Sequence, residues 1–267
     1  MAKKKTQRKW LIAAAALVIL GGAVVVSKED NVAAGPPCLV SIEGSNVALT
    51  LEQAGHATTI AAVASRLAMP NRAVTIALAT VLQESGLRNL DYGDRDSVGL
   101  FQQRPSQGWG SVDEIMSPEH AATTFYERLA RVPGWRTMSV NDAAQTVQRS
   151  GFPEAYGQWE GQARLMARAF TGEEPGAFTC RAEGKQLSLR QDDINKQVAS
   201  QFKTAAGGPS IGDEVSAQRG WMTASWLVAH ADSYGVRSIT FNGSLWQAST
   251  DKWEAISQKE MVVRYNV

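Results

Sequence analysis

One acidic residue, Glu84, lies where a catalytic acid would be expected. It closes an apolar run that begins at Ala77, and it follows Ala77 by seven residues and Val81 by three, which places it on the apolar face of a helix. Partial desolvation and the negative end of the helix dipole would both raise the pKa of its carboxyl group. A carboxyl group that keeps its proton near neutral pH can serve as general acid in glycosidic cleavage. The alternative is a structural role, in which Glu84 caps the helix or forms an ion pair.

The residues after Glu84 form a two-part pattern. Ser85-Gly86 is followed by Tyr92-Gly93-Asp94-Arg95 and by Ser97-Val98-Gly99-Leu100-Phe101-Gln102. The pattern resembles that of soluble lytic transglycosylases and goose-type lysozymes, with Phe101 in place of a methionine, and is similar to a lysozyme-like domain of exported actinobacterial proteins. The resemblance covers residues 45–175. It implies a lysozyme-like helical fold and cleavage of the β-1,4 bond between N-acetylmuramic acid and N-acetylglucosamine in peptidoglycan, with Glu84 as general acid and base and with no cofactor.

Asp94 is the candidate for a second carboxylate, which an inverting hydrolase needs to activate water. It matches a carboxylate of goose-type lysozymes that is held to position water, and the alternative is an aspartate that closes the turn beside Gly93. Goose-type sequences often carry a further acid just after the glutamine, but Gln103 and Arg104 stand there. This departure weakens the hydrolase interpretation. The transglycosylase reaction requires one carboxylate, because acetamido and hydroxyl groups of the substrate complete it.

The resemblance also implies substrate-binding residues. Gln102 would line the glycan groove, and Ser97 and Gly99 would shape the turn beside it. Tyr156, at the start of the closing helix, is expected near the acid, with a core aromatic as the alternative. Trp109, inside the long loop, is expected to offer a flat surface to a sugar ring, although most tryptophans simply pack in the core.

A second hypothesis is a binding module. Residues 148–151, Gln-Arg-Ser-Gly, occupy the place where the resembled group has a Tyr-Asn-x-Gly turn, and the match is poor. A module of this kind would keep the groove, have little or no turnover, and station a cell-envelope complex on glycan. The retained Glu84 and Gln102 favour the enzyme.

The N-terminus predicts a membrane anchor. Residues 1–9 form a basic tail, and residues 10–26 are apolar throughout, slightly shorter than a typical membrane span. A cleaved secretory signal is the alternative, since Val32-Ala33-Ala34 is similar to a cleavage site. With the basic tail in the cytoplasm, the remaining chain lies outside the membrane in either case. Residues 27–44 are expected to form a stalk.

The two cysteines, Cys38 and Cys180, predict one disulfide bond on the exported side of the membrane. The pair would connect the start of the helical segment to its end and mark a domain boundary near residue 180. The three histidines, His56, His120 and His230, are scattered along the chain, so no metal site is expected.

Capping residues predict where the helices start. Thr50 is expected to cap the first helix, Ser117 to begin another, and Asn141 to cap a later one. The closing helix is expected to start at Phe152 or Pro153, and residues 261–265 are expected to form a C-terminal strand.

The expected fold class is mainly α, with a lysozyme-like helical domain over 45–180 and a small C-terminal α/β domain. Residues 181–209 read as a linker with an amphipathic helix, and residues 210–267 as the second domain, whose role the sequence leaves open. Asn242-Gly243 predicts a two-residue hairpin in that domain. Its Trp246 and Trp253 would either contact wall polymer or a partner, or pack against the helical domain.

The charge distribution bears on partners. Five of the 27 basic residues fall in the first nine positions, so the rest of the chain has 22 basic against 26 acidic residues, a net charge of −4. This balance disfavours nucleic-acid binding. The expected partners are therefore peptidoglycan strands and, through residues 10–26, the membrane; no protein partner is indicated.

Overall fold

The computed structural model describes residues 37–182, 196, 198–202 and 217–265, and from residue 37 onwards these residues belong to one compact unit. The fold is mixed α/β, with helices and two small antiparallel sheets. The predicted basic tail, the apolar segment 10–26, most of the stalk and most of the predicted linker lie outside the described residues. No helix within the described ranges is both long and apolar enough to cross a membrane.

Most of the described helices lie between residues 51 and 170, where a long loop after residue 84 interrupts them, and two more lie within residues 217–234. Their bounds are α1 (Leu51–Arg66), α2 (Asn71–Glu84), α3 (Val112–Ile115), α4 (Pro118–Ala130), α5 (Val140–Gln148), α6 (Glu160–Phe170), α7 (Ala217–Ala229) and α8 (Ala231–Tyr234), and residues 198–201 are also helical. Helix α2 is the central element, because residues 73–82 are all buried and it packs against α1, α5 and α6.

Helix starts follow the capping residues. Thr50 caps α1 in a reciprocal capping box with Gln53, and Ser117 caps α4, as the sequence predicts. The expectation that Asn141 caps α5 is wrong: the cap is Ser139, whose hydroxyl accepts a hydrogen bond from the Asp142 amide. Asn141 is instead buried in the first turn of α5, where its side chain forms hydrogen bonds with the segment before α6.

The closing helix starts later than the sequence predicts. A start at Phe152 or Pro153 is expected, but α6 begins at Glu160, after a short 3-10 helix at Gly157–Trp159. The Asn141 side chain donates to the Pro153 carbonyl (2.8 Å) and accepts from the Gly157 amide (3.1 Å). These bonds satisfy backbone groups outside a helix, so the segment before Glu160 stays irregular.

A three-stranded sheet joins the two ends of the helical segment. Its strands are β1 (Cys38–Ile42), β2 (Ser45–Leu49) and β3 (Phe178–Cys180), in the order β2-β1-β3. Cys38 and Cys180 are opposite one another on β1 and β3 and form the predicted disulfide bond. The sheet therefore fixes the start of the helical segment against its end.

The C-terminal residues form a second sheet in the order β6-β5-β4-β7. Strands β4 (Val236–Phe241) and β5 (Ser244–Gln247) are joined by the predicted turn, in which Asn242 and Gly243 both have positive φ, as a type I′ turn requires. Strand β7 (Val262–Tyr265) was expected, whereas β6 (Lys252–Ala255) was not.

This C-terminal part shares its core with the helical segment. Helix α7 packs against α1, α6, β3 and β4. Trp246 is fully buried and donates from Nε1 to Thr179 Oγ1 (3.1 Å), and Trp253 donates to the Phe178 carbonyl (2.9 Å). The structure thus shows both tryptophans packed against the helical segment, Trp246 fully buried and Trp253 half-buried.

Reduction of the disulfide bond should destabilise the protein. The two cysteines are 142 residues apart in sequence, and closing a loop of that length stabilises the folded state by about 5 kcal/mol in the chain-entropy model. We expect the unfolding temperature to fall by roughly 10 °C or more on complete reduction, as measured by calorimetry with and without a phosphine reductant. An unchanged unfolding temperature after verified reduction would contradict this expectation.

His230 should make stability depend on pH. Its ring stacks on Trp226 with 4.0 Å between centroids, Nδ1 lies 2.8 Å from the Trp226 carbonyl, and burial lowers its pKa from 6.5 to about 4. Above pH 6.5 the ring is neutral in both states, but between pH 6.5 and 4 only the unfolded chain binds the proton. The free energy of unfolding should therefore fall by on the order of 2–3 kcal/mol as the pH drops across this window. Denaturant titrations should show a smaller fall in His230→Gln than in the matched control His120→Gln.

Candidate active site

Glu84 is the last residue of α2 and is half-buried. Ala77 and Val81 on the same helical face are fully buried, residues 73–82 are buried throughout, and Glu84 continues this buried helix to its end. The Ser85 amide donates a last helical hydrogen bond to the Val81 carbonyl (3.1 Å), and the helix ends there because Gly86 has a positive φ of 62°. The carboxyl group consequently lies at the negatively polarised end of a buried helix, where its charged form is disfavoured.

Two side chains donate hydrogen bonds to this carboxyl group, and both reach the same oxygen. The Tyr156 hydroxyl lies 2.6 Å from Glu84 Oε1, and Gln148 Nε2 lies 3.2 Å from it. Burial raises the pKa of Glu84, and the bonds from Tyr156 and Gln148 oppose that rise. Burial and the nearby Glu84 carboxylate raise the pKa of Tyr156, so the phenol keeps its proton and remains a donor. The structure therefore brings the predicted Tyr156 to the predicted acid.

Gln148 is the functional candidate that the sequence interpretation missed. As the last residue of α5 it also donates to the Phe101 carbonyl (2.8 Å), so its amide nitrogen joins two acceptors. A flipped amide would place Gln148 Oε1 against these two acceptor oxygens, so the hydrogen bonds fix the orientation of the amide. The available signal was spacing, since Gln148 follows the buried Ala144 by one helical repeat and so lies on the inner face of α5.

Tyr156 reaches Glu84 from an irregular segment that α5 holds in place. Asn141 binds that segment on both sides of Tyr156, as described above, and Gln145 Nε2 donates to the Ser150 carbonyl (2.8 Å). The Tyr156 side chain is 0% exposed, so packing also restricts its position. One helix thus supplies Gln148 directly and fixes Tyr156 indirectly.

The loop after α2 is folded tightly against the helix end. Ser85 Oγ lies 2.7 Å from the Leu100 carbonyl, and Val98 and Gln103 exchange backbone hydrogen bonds at 3.0 Å. Gly99 has a φ of 81°, and a Cβ added there would lie 2.9 Å from the Ile115 carbonyl oxygen. Only glycine fits this position without strain, in agreement with its predicted role in shaping the turn.

Gln102 and Ser97 contribute to the loop itself. Gln102 Nε2 lies 3.3 Å from the Tyr92 carbonyl and 3.2 Å from the Gly99 carbonyl. A Cβ on Gly93 would fall 1.9 Å from Gln102 Oε1, so the glutamine packs directly on that glycine. Ser97 is buried, and its amide donates to the Asp94 carbonyl (3.0 Å). Both residues organise the turn next to the acid, and the groove contact expected for Gln102 remains a prediction.

Asp94 is not brought to Glu84 by any contact in the described part of the chain. Its side chain is 92% exposed, and its ionic neighbour is Arg95, with 3.9 Å between Nε and Oδ2. The nearby Asp96 has a structural part: it accepts hydrogen bonds from Arg104 Nε (2.6 Å) and from the Ser106 amide (2.9 Å), and these bonds lower its pKa. The loop therefore presents Asp94 to solvent while Asp96 ties the loop together.

Trp109 is 5% exposed and lines a pocket of about 610 Å³. The guanidinium group of Arg128 lies over its ring, 3.4 Å from the centroid. A sugar ring therefore cannot stack on that face unless Arg128 moves. Gln148 lines the same pocket, so the pocket adjoins the residues around Glu84.

Comparison with protein families and with curated proteins identifies no relative. No protein-family model matches the chain, and no curated protein is significantly similar to it. In the described ranges, no group of three or more histidine, cysteine, aspartate or glutamate residues is arranged to hold a metal ion.

Removing the Tyr156 hydroxyl should raise the pKa of Glu84. Tyr156→Phe deletes the 2.6 Å bond that favours the carboxylate while it keeps the ring that desolvates it. We expect an upward shift in the pKa of Glu84, measured by NMR titration of the carboxyl carbon, and a loss of about 1–3 kcal/mol in the free energy of unfolding.

The matched control is Tyr126→Phe, because the Tyr126 hydroxyl is also buried but donates to the Ile60 carbonyl (3.2 Å). It should lower stability without shifting the pKa of Glu84. Equal titration curves for all three proteins would show that the Tyr156 bond does not control this carboxyl group.

Proposed function

We propose that the protein cleaves the β-1,4 bond between N-acetylmuramic acid and N-acetylglucosamine in peptidoglycan, with Glu84 as general acid and base. The observation that carries this proposal is the half-buried Glu84 carboxyl group with Tyr156 and Gln148 on one of its oxygens. Burial raises its pKa towards the range in which a carboxyl group can deliver a proton near neutral pH. The sequence resemblance to lytic transglycosylases and goose-type lysozymes supports the same chemistry.

The hydrogen bonds assign different tasks to the two oxygens of Glu84. Both donors reach Oε1, whereas no described residue donates to Oε2. In the protonated acid, Oε1 accepts these bonds and Oε2 carries the proton. The proton then passes from Oε2 to the glycosidic oxygen as the bond to the anomeric carbon breaks. In the resulting carboxylate, the same two donors stabilise the negative charge.

A single carboxylate favours the transglycosylase outcome over hydrolysis. Asp94 is almost fully solvated and contacts Arg95, which gives little support to a base that holds a water opposite Glu84. In the transglycosylase reaction, the Glu84 carboxylate removes the proton of the substrate's C6 hydroxyl, and the oxygen of that hydroxyl bonds to the anomeric carbon. The product is a 1,6-anhydro sugar, no water is consumed, and Glu84 regains its proton.

We further propose that the chain after residue 26 works outside the cytoplasmic membrane and that residues 10–26 anchor it there. The Cys38–Cys180 disulfide bond supports an oxidising compartment. The basic residues at positions 3–9 favour a cytoplasmic tail.

A glycan-binding module is the second candidate. One observation favours it: residues 148–151 read Gln-Arg-Ser-Gly, a poor match to the Tyr-Asn-x-Gly turn of the enzymes that the sequence resembles. Such a module would bind peptidoglycan strands and station a cell-envelope complex on them without turning them over.

The decisive test is digestion of purified peptidoglycan by the full chain and by its Glu84→Gln variant. Loss of the acid should lower the release of fragments by about 100-fold or more. Mass spectrometry of the products separates the outcomes: anhydro ends indicate a transglycosylase, and reducing ends indicate a hydrolase. Equal release by both proteins would refute the enzyme and leave the binding module.

Two further variants sharpen this test. Glu160→Gln removes a half-buried glutamate that pairs with Arg164 outside the candidate site, and it should leave fragment release unchanged. Asp94→Asn should also leave release nearly unchanged if one carboxylate suffices. A loss in Asp94→Asn comparable to that in Glu84→Gln would restore the two-carboxylate hydrolase.

A further inference from the structure

The pocket lined by Trp109 and Gln148, beside the candidate acid, is positively charged. Its walls come from the 3-10 segment at Pro105–Gln107, the end of α4 and the end of α5. Three arginines, Arg128, Arg131 and Arg149, line it, and no acidic residue does. The chain after residue 9 has a net charge of −4, so this concentration of positive charge runs against the average of the protein.

Arg128 is held rigidly at the pocket wall. Its Nη2 donates to the carbonyls of Gly108 (2.8 Å) and Gln107 (3.3 Å), while its guanidinium plane rests on Trp109. Burial lowers the pKa of Arg128, and the nearby positive charges of Arg149 and Arg131 lower it further. A guanidinium group fixed in this way needs little further ordering to bind an anion.

The other two arginines are exposed. Neither Arg131 nor Arg149 forms an ion pair with an acidic residue in the described part of the chain. Arg149 follows α5 directly with a φ of 53°, so it turns away from the helix next to Gln148. Three cations without a carboxylate in a pocket leave repulsion that a bound anion would relieve.

Gln148 links this pocket to the reaction site. It lines the pocket and also donates to Glu84 Oε1. A volume of about 610 Å³ is large enough for a saccharide unit or a short peptide, and not only for a small ion. A substrate group bound there would therefore be attached to the sugar close to the bond that is cut.

We propose that the pocket lined by Arg128, Arg131 and Arg149 binds an oxyanion carried by the wall glycan, a carboxylate or a phosphate, and thereby selects charged strands for the site at Glu84. The selection of substrate rests on the proposed function, whereas the binding of the anion does not. Guanidinium groups suit both oxyanions because their paired N–H groups match two oxygens.

The test measures the binding of glycan fragments by calorimetry to the full chain and to the double variant Arg131→Gln/Arg149→Gln. Both side chains are exposed, so the fold should persist. The parent should bind peptidoglycan fragments with free stem carboxylates on the order of tenfold more tightly than the same fragments after amidation. The double variant should lose this preference. Arg164→Gln, an exposed arginine outside the pocket, is the matched control and should retain it.

A second pair of ligands distinguishes carboxylate from phosphate. Wall fragments with phosphodiester polymer are compared with fragments from which acid treatment has removed that polymer. If the parent prefers the free-carboxylate fragments over the amidated ones and the double variant does not, the bound group is a carboxylate. If the arginine-dependent preference is found only between the fragments with and without phosphodiester polymer, the bound group is a phosphate. If the parent and the double variant show equal affinity ratios for both pairs, the proposal is wrong.

A sugar-free probe separates this proposal from the proposed function. Citrate should bind the parent more weakly in high salt, and it should bind the double variant poorly at any salt concentration. If Glu84→Gln releases as many fragments as the parent while citrate binding still depends on the arginines, the proposed cleavage of peptidoglycan is wrong and the anion-binding pocket is supported. Citrate binding that is equal in parent and double variant overturns the pocket, whatever the activity.

Discussion

A carboxyl group at the buried end of a helix is the constraint on which the candidate site depends. Glu84 lies where both desolvation and the dipole of α2 disfavour its charge, so its carboxylate form requires donors. Tyr156 and Gln148 supply them on one oxygen. The irregular segment before α6 brings Tyr156 to that oxygen, and the end of α5 brings Gln148 to it.

The long loop after α2 is an ordered structure in spite of its length. Its backbone pairs with itself between Val98 and Gln103, and Ser85 connects it to the helix end. Gln102 packs on Gly93, and Asp96 accepts bonds from Arg104 and Ser106. Several polar residues that resemble catalytic or binding residues in sequence therefore hold the loop in place beside Glu84.

The C-terminal sheet is part of the support for the same core. Helix α7 packs against α1, α6 and β4, and Gly220 permits the close contact with β4 because a Cβ there would lie 1.9 Å from the ring of Phe241. Trp246 and Trp253 bind β3 beside the disulfide bond. The C-terminal sheet thus packs directly on the strand that carries Cys180, and residues 217–265 have a structural reason to be present whatever else they do.

Local chemistry explains what the sequence by itself determined. Thr50 and Ser117 begin helices, Asn242-Gly243 makes a turn, two cysteines pair, and the apolar spacing of Glu84 orients it inward, because each depends on neighbours within a few residues or on a simple count. Only the tertiary structure decided that Ser139 rather than Asn141 caps α5, that Gln148 reaches Glu84, that Asp94 faces solvent, and that three arginines meet beside Trp109. Those outcomes depend on which segments, far apart in the chain, compete for the same hydrogen-bonding groups and the same space, and spacing along one segment carries no information about that competition.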